Sequence, residues 1–498
     1  MEYRLTLRPK SSPEPSEHLR RSILRRTHAL LKSSLPTIVL VAGMAISLSM
    51  VLLLPDLYHS NDWNDMLLWA GKFRANWRDI YINCDRCTYP FVGILVSAGL
   101  IQMLDSASLL DTGLLFRLVV GIVDAANVFL LYLLMKQLGI RKSALWAGIV
   151  GLLPSSWVGG ALWGQIDSYS QFFLLLTLLS IARLNRSMQN EGRRHTLPAY
   201  LVLIGLPLTC LMLTKQLAVF NLLVLEGIVL ANLFLICRSI PKTIIYAGLF
   251  LAWQAAIVLL FDLFLKVEVP YISHLAYVWL TRSNHMHKIS GNGFNIWVFL
   301  GWAQGASSTE PFFRTFTPRD TGLGLFVGWM AVLSASLFMR LSKYYRTNRP
   351  RAFDREILPD LIFFLALTNL CFNVFLSGTH ERYLYHFYPM IITGYLGLRE
   401  HSPLFSRGML AVLLFGGVSY GLYVFEILSG ELPMALFILR DARFQGAFHL
   451  FLLIYLSLAY LRYHNFIPRA RYLLAGLFAG SPSPGFGDQS GVDADESP

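Results

Sequence analysis

The chain has 498 residues, of which 55% are hydrophobic and only 14% are charged. Soluble domains carry about 25% charged residues, so a soluble fold is excluded and soluble-domain lengths do not apply. The 42 Lys and Arg outnumber the 30 Asp and Glu, but they fall in short segments between apolar runs, as cytoplasmic loops do. The excess therefore reads as topology, and no nucleic-acid partner is expected.

Residues 1–33 are basic and expected to be cytoplasmic. The Leu35–Pro55 run lacks a small-residue cleavage site and reads as an uncleaved first span. A first external loop over about 56–89 contains "SNDWNDMLLWAGKF", which predicts short amphipathic helices with Trp63, Trp69 and Trp77 as interfacial anchors. Within it "CDRC" leaves two readings for Cys84 and Cys87, a local disulfide or two free thiols. Cys210, Cys237 and Cys371 read as packing residues.

Two apolar runs follow, Phe91–Leu104 and Leu114–Met135, and topology requires one of them not to cross fully. Arg117 and Asp124 lie seven apart in the second, a spacing suited to a buried pair or a helix contact. Further spans are predicted at Ala144–Leu162, Tyr169–Ala182, Leu201–Leu213, Ala218–Ile236, Ile244–Leu265, Leu323–Met339, Leu361–Leu376, Tyr388–Leu398, Met409–Ile427 and Ala447–Leu461. External loops fall at about 163–168, 266–320, 377–387 and 430–446. The expected fold is an all-α polytopic membrane protein with a transmembrane domain over 34–465 and about 11 to 13 helices. Residues 466–498 form a cytoplasmic segment ending in an acidic Gly/Ser/Pro tail, expected to be disordered.

Polar groups at the rim of such a bundle are costly and are functional candidates by default. They gather on the inferred external face. Asp62 and Asp65 share one helix face. "WGQIDS" places Gln165 and Asp167 at a second turn, "LTKQ" places Lys215 at a third, and "GTHERYLYH" places His380, Glu381, Arg382 and Tyr383 at a fourth. Cations suit a phosphate ester, because charge-assisted contacts are the strong ones. A carboxylate suits the deprotonation of a hydroxyl.

In this order the segments resemble the GT-C superfamily of integral-membrane glycosyltransferases, which use polyprenyl- or dolichyl-phosphate sugars. "DWNDMLLW" is similar to the acidic first-loop motif, with Asp62 followed seven residues later by Trp69. "IYINCDRCTYP" resembles the aromatic end of that loop. "LLPSSWVGGALWGQIDSYSQFFLLL" and "LTKQ" resemble the central block of mannosyltransferases that begin glycosylphosphatidylinositol assembly, and of bacterial relatives. "ISGNGFNIWVFLG" resembles an Asn-rich external motif, and "HERYLYHFYP" resembles the "MHERYLFP" signature of bacterial members.

The resemblance implies an inverting transferase moving a hexose, mannose foremost, from a polyprenyl-phosphate carrier to an acceptor hydroxyl on the non-cytoplasmic side. The acceptor would be a glycan, lipid or protein, and membrane lipid surrounds the site. Asp62 would be the base, with Asp65 competing because the sequence reads "NDWND". His380, Arg382 and Lys215 would hold the donor phosphate. Asp167, Gln165, Glu381, Tyr383 and Asn295 would shape the substrate pocket. No cofactor and no metal are implied. A bacterial inner membrane is favoured, with the endoplasmic reticulum as the alternative. The competing function is a transporter or flippase of a lipid-linked or sugar substrate, which would concentrate its polar groups at the bilayer midplane.

Overall fold

The computed structural model describes residues 15–107, 111–188, 196–215, 219–269, 271–282, 287–347, 353–430 and 436–466. The acidic tail expected at the C-terminus lies outside these residues, as does part of the 430–446 loop.

Apolar runs dominate the chain, and backbone groups in hydrocarbon can be satisfied only within helices or closed barrels. Accordingly the described residues are 79% helical, and the two named strands among them are two residues each. Among the described residues, eight helices are long and apolar enough to cross a membrane. They are Ser34–Leu53, Thr112–Gln137, Leu197–Thr214, Ile240–Asp262, Pro318–Thr347, Phe353–Phe375, Arg407–Ser429 and Ala442–Tyr463. Three shorter apolar helices accompany them, Phe91–Ala107, Ser143–Leu152 and Asn221–Cys237. The chain is thus an all-α polytopic membrane protein.

Of the two runs left open by the sequence, Thr112–Gln137 has 26 residues and the length to cross. Phe91–Ala107 has neither the length nor a regular helix, since Leu95–Gly99 adopts a π turn. The predicted span Ala144–Leu162 is also broken. Its helix ends at Leu152, because the residue before Pro154 is driven out of the helical region, and Leu153 has ψ 133°. A turn over Pro154–Ser156 and a π segment over Val158–Leu162 complete the run. The Ala161 amide freed there donates to Asp124 Oδ2 at 3.1 Å.

That use of Asp124 separates it from Arg117. Asp124 also accepts from the Tyr385 hydroxyl at 2.6 Å. Arg117 instead donates to the backbone carbonyls of Pro55 and Leu57, tying down the exit of the first span. The two residues serve different joints rather than each other.

Helices Phe353–Phe375 and Phe387–Arg399 form a hairpin at the centre of the bundle. Every residue from Phe387 to Leu398 is buried. Close approach requires glycine here: an added Cβ at Gly394 would lie 2.7 Å from Phe363 N, and one at Gly397 would lie 2.7 Å from Pro359 Cβ. The tight hairpin fixes the connecting turn, which carries His380 to Leu384.

Two of the basic segments meet at one end of the bundle. At the end where Asp354 starts the central hairpin, Arg186 lies 3.8 Å from Asp354 and Arg141 lies 3.9 Å from Glu400. Gln137 donates to Asp354 at 3.0 Å. The basic segments "GIRKS" and "RLNRS" thus meet there. The candidate side chains meet at the other end.

Candidate active site

The first loop folds into one 17-residue helix, Ser60–Asn76, followed by the short turns Trp77–Asp79 and Ile80–Asn83. Cys84 and Cys87 are disulfide-bonded. The long helix starts where the His59 ring accepts the Asp62 amide at 3.3 Å, filling one of the orphan donors of its first turn. Capping points the Asp62 carboxylate back over the helix start. His59 is itself held by stacking on Trp163, with ring centroids 4.5 Å apart.

Asp62 Oδ2 is the point of convergence. Trp163 Nε1 donates to it at 2.7 Å, Gln165 Nε2 at 2.5 Å and Arg382 Nη1 at 2.9 Å. His59 Nδ1 stands 3.4 Å from the same oxygen. Burial would raise this carboxyl, but Arg382, His59 and Trp163 outweigh it and hold Asp62 well below the usual carboxylate range. Asp65 behaves differently. It turns one face along to the exposed Arg86, at 3.1 Å.

The turn bearing Arg382 is stitched to the long external segment by two short strands, Ser290–Gly291 and Thr379–His380, paired in parallel. Gly378 N donates to Ile289 O at 3.0 Å. Asn295 closes the joint. Its side-chain amide donates to Ile289 O at 2.9 Å and Leu376 O at 3.1 Å, while its oxygen caps Val298 N at 3.1 Å. Asn295 is therefore a fully buried clasp, away from the pocket walls it was expected to form. Gly291 packs directly against the His380 ring, where an added Cβ would lie 2.5 Å from Cε1.

Burial, with Arg382 and Lys215 nearby, pushes His380 down to about 3 against the pull of Asp62, so its ring is neutral. Glu381 is 1% exposed, and among the described residues neither carboxylate oxygen has a hydrogen-bond partner. Burial lifts its carboxyl to about 7, with Arg382 pulling the other way. Arg382 Nη1 is 3.8 Å from Glu381 Oε1, so the guanidinium lies between two carboxylates.

Lys215 is already engaged. Its Nζ donates to both oxygens of Asp167, at 2.7 and 2.8 Å, in a pair shut off from solvent. The ammonium also sits 5.4 Å from the centre of the Tyr383 ring and 5.7 Å from that of Tyr89. Lys215, Asp167 and Tyr383 thus form a layer beneath the open site, outside the walls of both cavities.

Two cavities flank Asp62. One, of about 550 Å³, is walled by Asp65, Met66, Trp69, Tyr89 and Gln165, among others. The second, of about 370 Å³, is walled by His59, Trp163, Lys288, His380 and Glu381, among others. Asp62 and Arg382 belong to both walls. Among the described residues, no three of His, Cys, Asp and Glu cluster so as to hold a metal ion.

The structure thus brings together Asp62, Gln165, His380, Glu381 and Arg382 from three distant segments. It adds Trp163, His59 and Lys288, which sequence reasoning passed over. The "W" of "ALWGQID" was a signal for the first, because an indole N–H buried at a span end needs an acceptor. Trp69, expected as a membrane anchor, is instead buried edge-on against Tyr89 at 5.2 Å. Comparison with protein-family models, curated proteins and solved structures finds no match to this chain.

Proposed function

We propose that the protein is an inverting GT-C-type glycosyltransferase that moves a hexose, mannose foremost, from a polyprenyl-phosphate carrier to an acceptor hydroxyl. The observation that carries this reading is a carboxylate and an arginine from opposite ends of the sequence, Asp62 and Arg382, meeting at 2.9 Å between two cavities at one end of a membrane bundle. One cavity offers a neutral imidazole, a guanidinium and the exposed Lys288, a set suited to a phosphate monoester. The other offers carboxylates, an amide and aromatic faces, which suit an uncharged polyhydroxyl acceptor.

In the proposed reaction Asp62 takes the proton of the acceptor hydroxyl as its oxygen forms a bond to the anomeric carbon. The bond from that carbon to the phosphate oxygen breaks on the opposite side, which inverts the configuration. The electron pair leaves with the polyprenyl phosphate, beside Arg382 and His380. The basic loops gathered at the opposite end support a cytoplasmic face there and a non-cytoplasmic active face. A polar cluster at span ends, rather than at mid-depth, favours transferase over transporter.

The test is transfer from synthetic polyprenyl-phosphate mannose, and from the glucose analogue, in membranes holding wild type, Asp62→Asn or Asp65→Asn. Asp62→Asn should lose about 10²–10⁴-fold, the contribution of general-base catalysis. Asp65→Asn should lose little, because its exposed pair with Arg86 contributes no more than about 1 kcal/mol. Full activity in Asp62→Asn with that loss in Asp65→Asn moves the base three residues. No transfer from either donor by wild type overturns the reading of the reaction.

A further inference from the structure

We propose that the Asp62–Arg382 ion pair is a gate between a phosphate chamber and an acceptor chamber, and that a lipid phosphate opens it by taking the guanidinium from Asp62. The proposal rests on the transferase reading above and adds an order to it: the base becomes usable only once the donor is in place.

Three observations converge on the gate. Asp62 and Arg382 are the residues shared by the walls of the two cavities, so their contact at 2.9 Å is part of the partition between them. Next, Asp62 Oδ2 already receives Trp163, Gln165 and Arg382. Three donors crowd this one oxygen and leave Oδ1 for the acceptor hydroxyl, but with a guanidinium in contact the carboxylate is held in its charged form and is a poor proton acceptor. Of the three donors, only Arg382 carries charge. Removing it would leave Asp62 held in place by Trp163 and Gln165 but free of its main counter-charge.

The third observation is a prepared landing place. Glu381 is buried with neither carboxylate oxygen hydrogen-bonded among the described residues, and Oε1 stands 3.8 Å from Arg382 Nη1, too far for a hydrogen bond. Arg382 Nε likewise has no hydrogen-bond partner among the described residues. A guanidinium that leaves Asp62 for a phosphate in the smaller chamber can thus close its 3.8 Å approach to Glu381 into a hydrogen bond as it turns. Lys215 cannot substitute for it, because both oxygens of Asp167 hold the ammonium. No covalent bond changes in this step. A phosphate oxygen replaces a carboxylate oxygen at one guanidinium, and the partition opens onto the acceptor chamber.

The test measures binding of a sugar-free polyprenyl phosphate to purified full-length protein in lipid nanodiscs, so that no sugar or acceptor has to be identified. Asp62→Asn should bind it about tenfold more tightly than wild type, a change of about 1.4 kcal/mol, because Arg382 no longer has to be won from a carboxylate. Arg382→Gln should bind more weakly, and in the Asp62→Asn/Arg382→Gln protein the gain from Asp62→Asn should vanish. If Asp62→Asn tightens binding equally with and without Arg382, simple charge repulsion explains it and the gate is overturned while the transferase reading stands. If Arg382→Gln does not fold, Gln165→Leu decides. It changes no charge and sits in the wall of the other chamber, yet it leaves Asp62 leaning harder on Arg382, so phosphate binding should weaken several-fold. Unchanged binding in Gln165→Leu overturns the gate. No polyprenyl phosphate binding by wild type or Asp62→Asn overturns both readings.

Discussion

Lys215 and Asp167 form a closed pair inside the protein, with the ammonium 2.7 and 2.8 Å from the two carboxylate oxygens. The lysine ends the helix Leu197–Thr214 and the aspartate begins the helix Asp167–Met188. A bidentate pair at two helix ends is a joint, and it costs much to break on one side only. Lys215→Met should lower stability by about 3–5 kcal/mol, since it leaves a buried carboxylate uncompensated. Adding Asp167→Asn should restore much of the loss. Thermal unfolding of the detergent-solubilised proteins measures both. A loss of transfer in Lys215→Met without a loss of stability would instead return Lys215 to the donor phosphate.

Gly291 sets the position of His380 by having no side chain. Gly291→Ala places a Cβ 2.5 Å from His380 Cε1 and 2.8 Å from Nδ1, so the imidazole has to move. A displacement of about 1 Å in a reacting constellation costs about 10²-fold in rate. Transfer by Gly291→Ala should fall by about that factor with only a small change in unfolding temperature. Near-normal transfer would show that His380 does not act from its present position.

Glu381 makes stability depend on pH in the direction opposite to most carboxylates. Burial lifts it from the ordinary 4.5 to about 7, so across that window the folded state binds more protons than the unfolded state. The contribution of Glu381 is therefore fully present below the window and is lost as pH rises through it, while His380, pushed down to about 3, contributes a rise over the overlapping range. Asp62 contributes in the other direction and at lower pH, because its carboxyl is depressed. Glu381→Gln should remove this one contribution, so its stability relative to wild type should increase between about pH 4.5 and 7. Unfolding temperatures of wild type and variant across that range provide the measurement, and parallel curves would place the buried proton elsewhere.

Much of the architecture is legible because a bilayer imposes strong rules on composition. Apolar runs give most helices, as with Leu361–Leu376 against the observed Phe353–Phe375. Breaks inside runs were harder to read. Pro154 and the Gly159–Gly160 pair gave a local sign of the break after Leu152, yet the π segment that follows is held by Asp124, a residue on another helix. The site divides in the same way. Asp62, Gln165, His380, Glu381 and Arg382 stood out as polar residues at span ends, whereas Asn295 and Lys215 stood out equally and proved to be joints.

The sequence by itself determined that this is a helical membrane protein, which end collects the basic loops, and which polar residues must find partners away from lipid. Those conclusions follow from local hydrophobicity and charge, which the solvent reads residue by residue. Only the tertiary structure decided who the partners are. It chose Asp62 over Asp65 to face Arg382, 320 positions away, and it spent Lys215 on Asp167. A charge has no preferred partner until packing brings one within about 4 Å and removes the water between them.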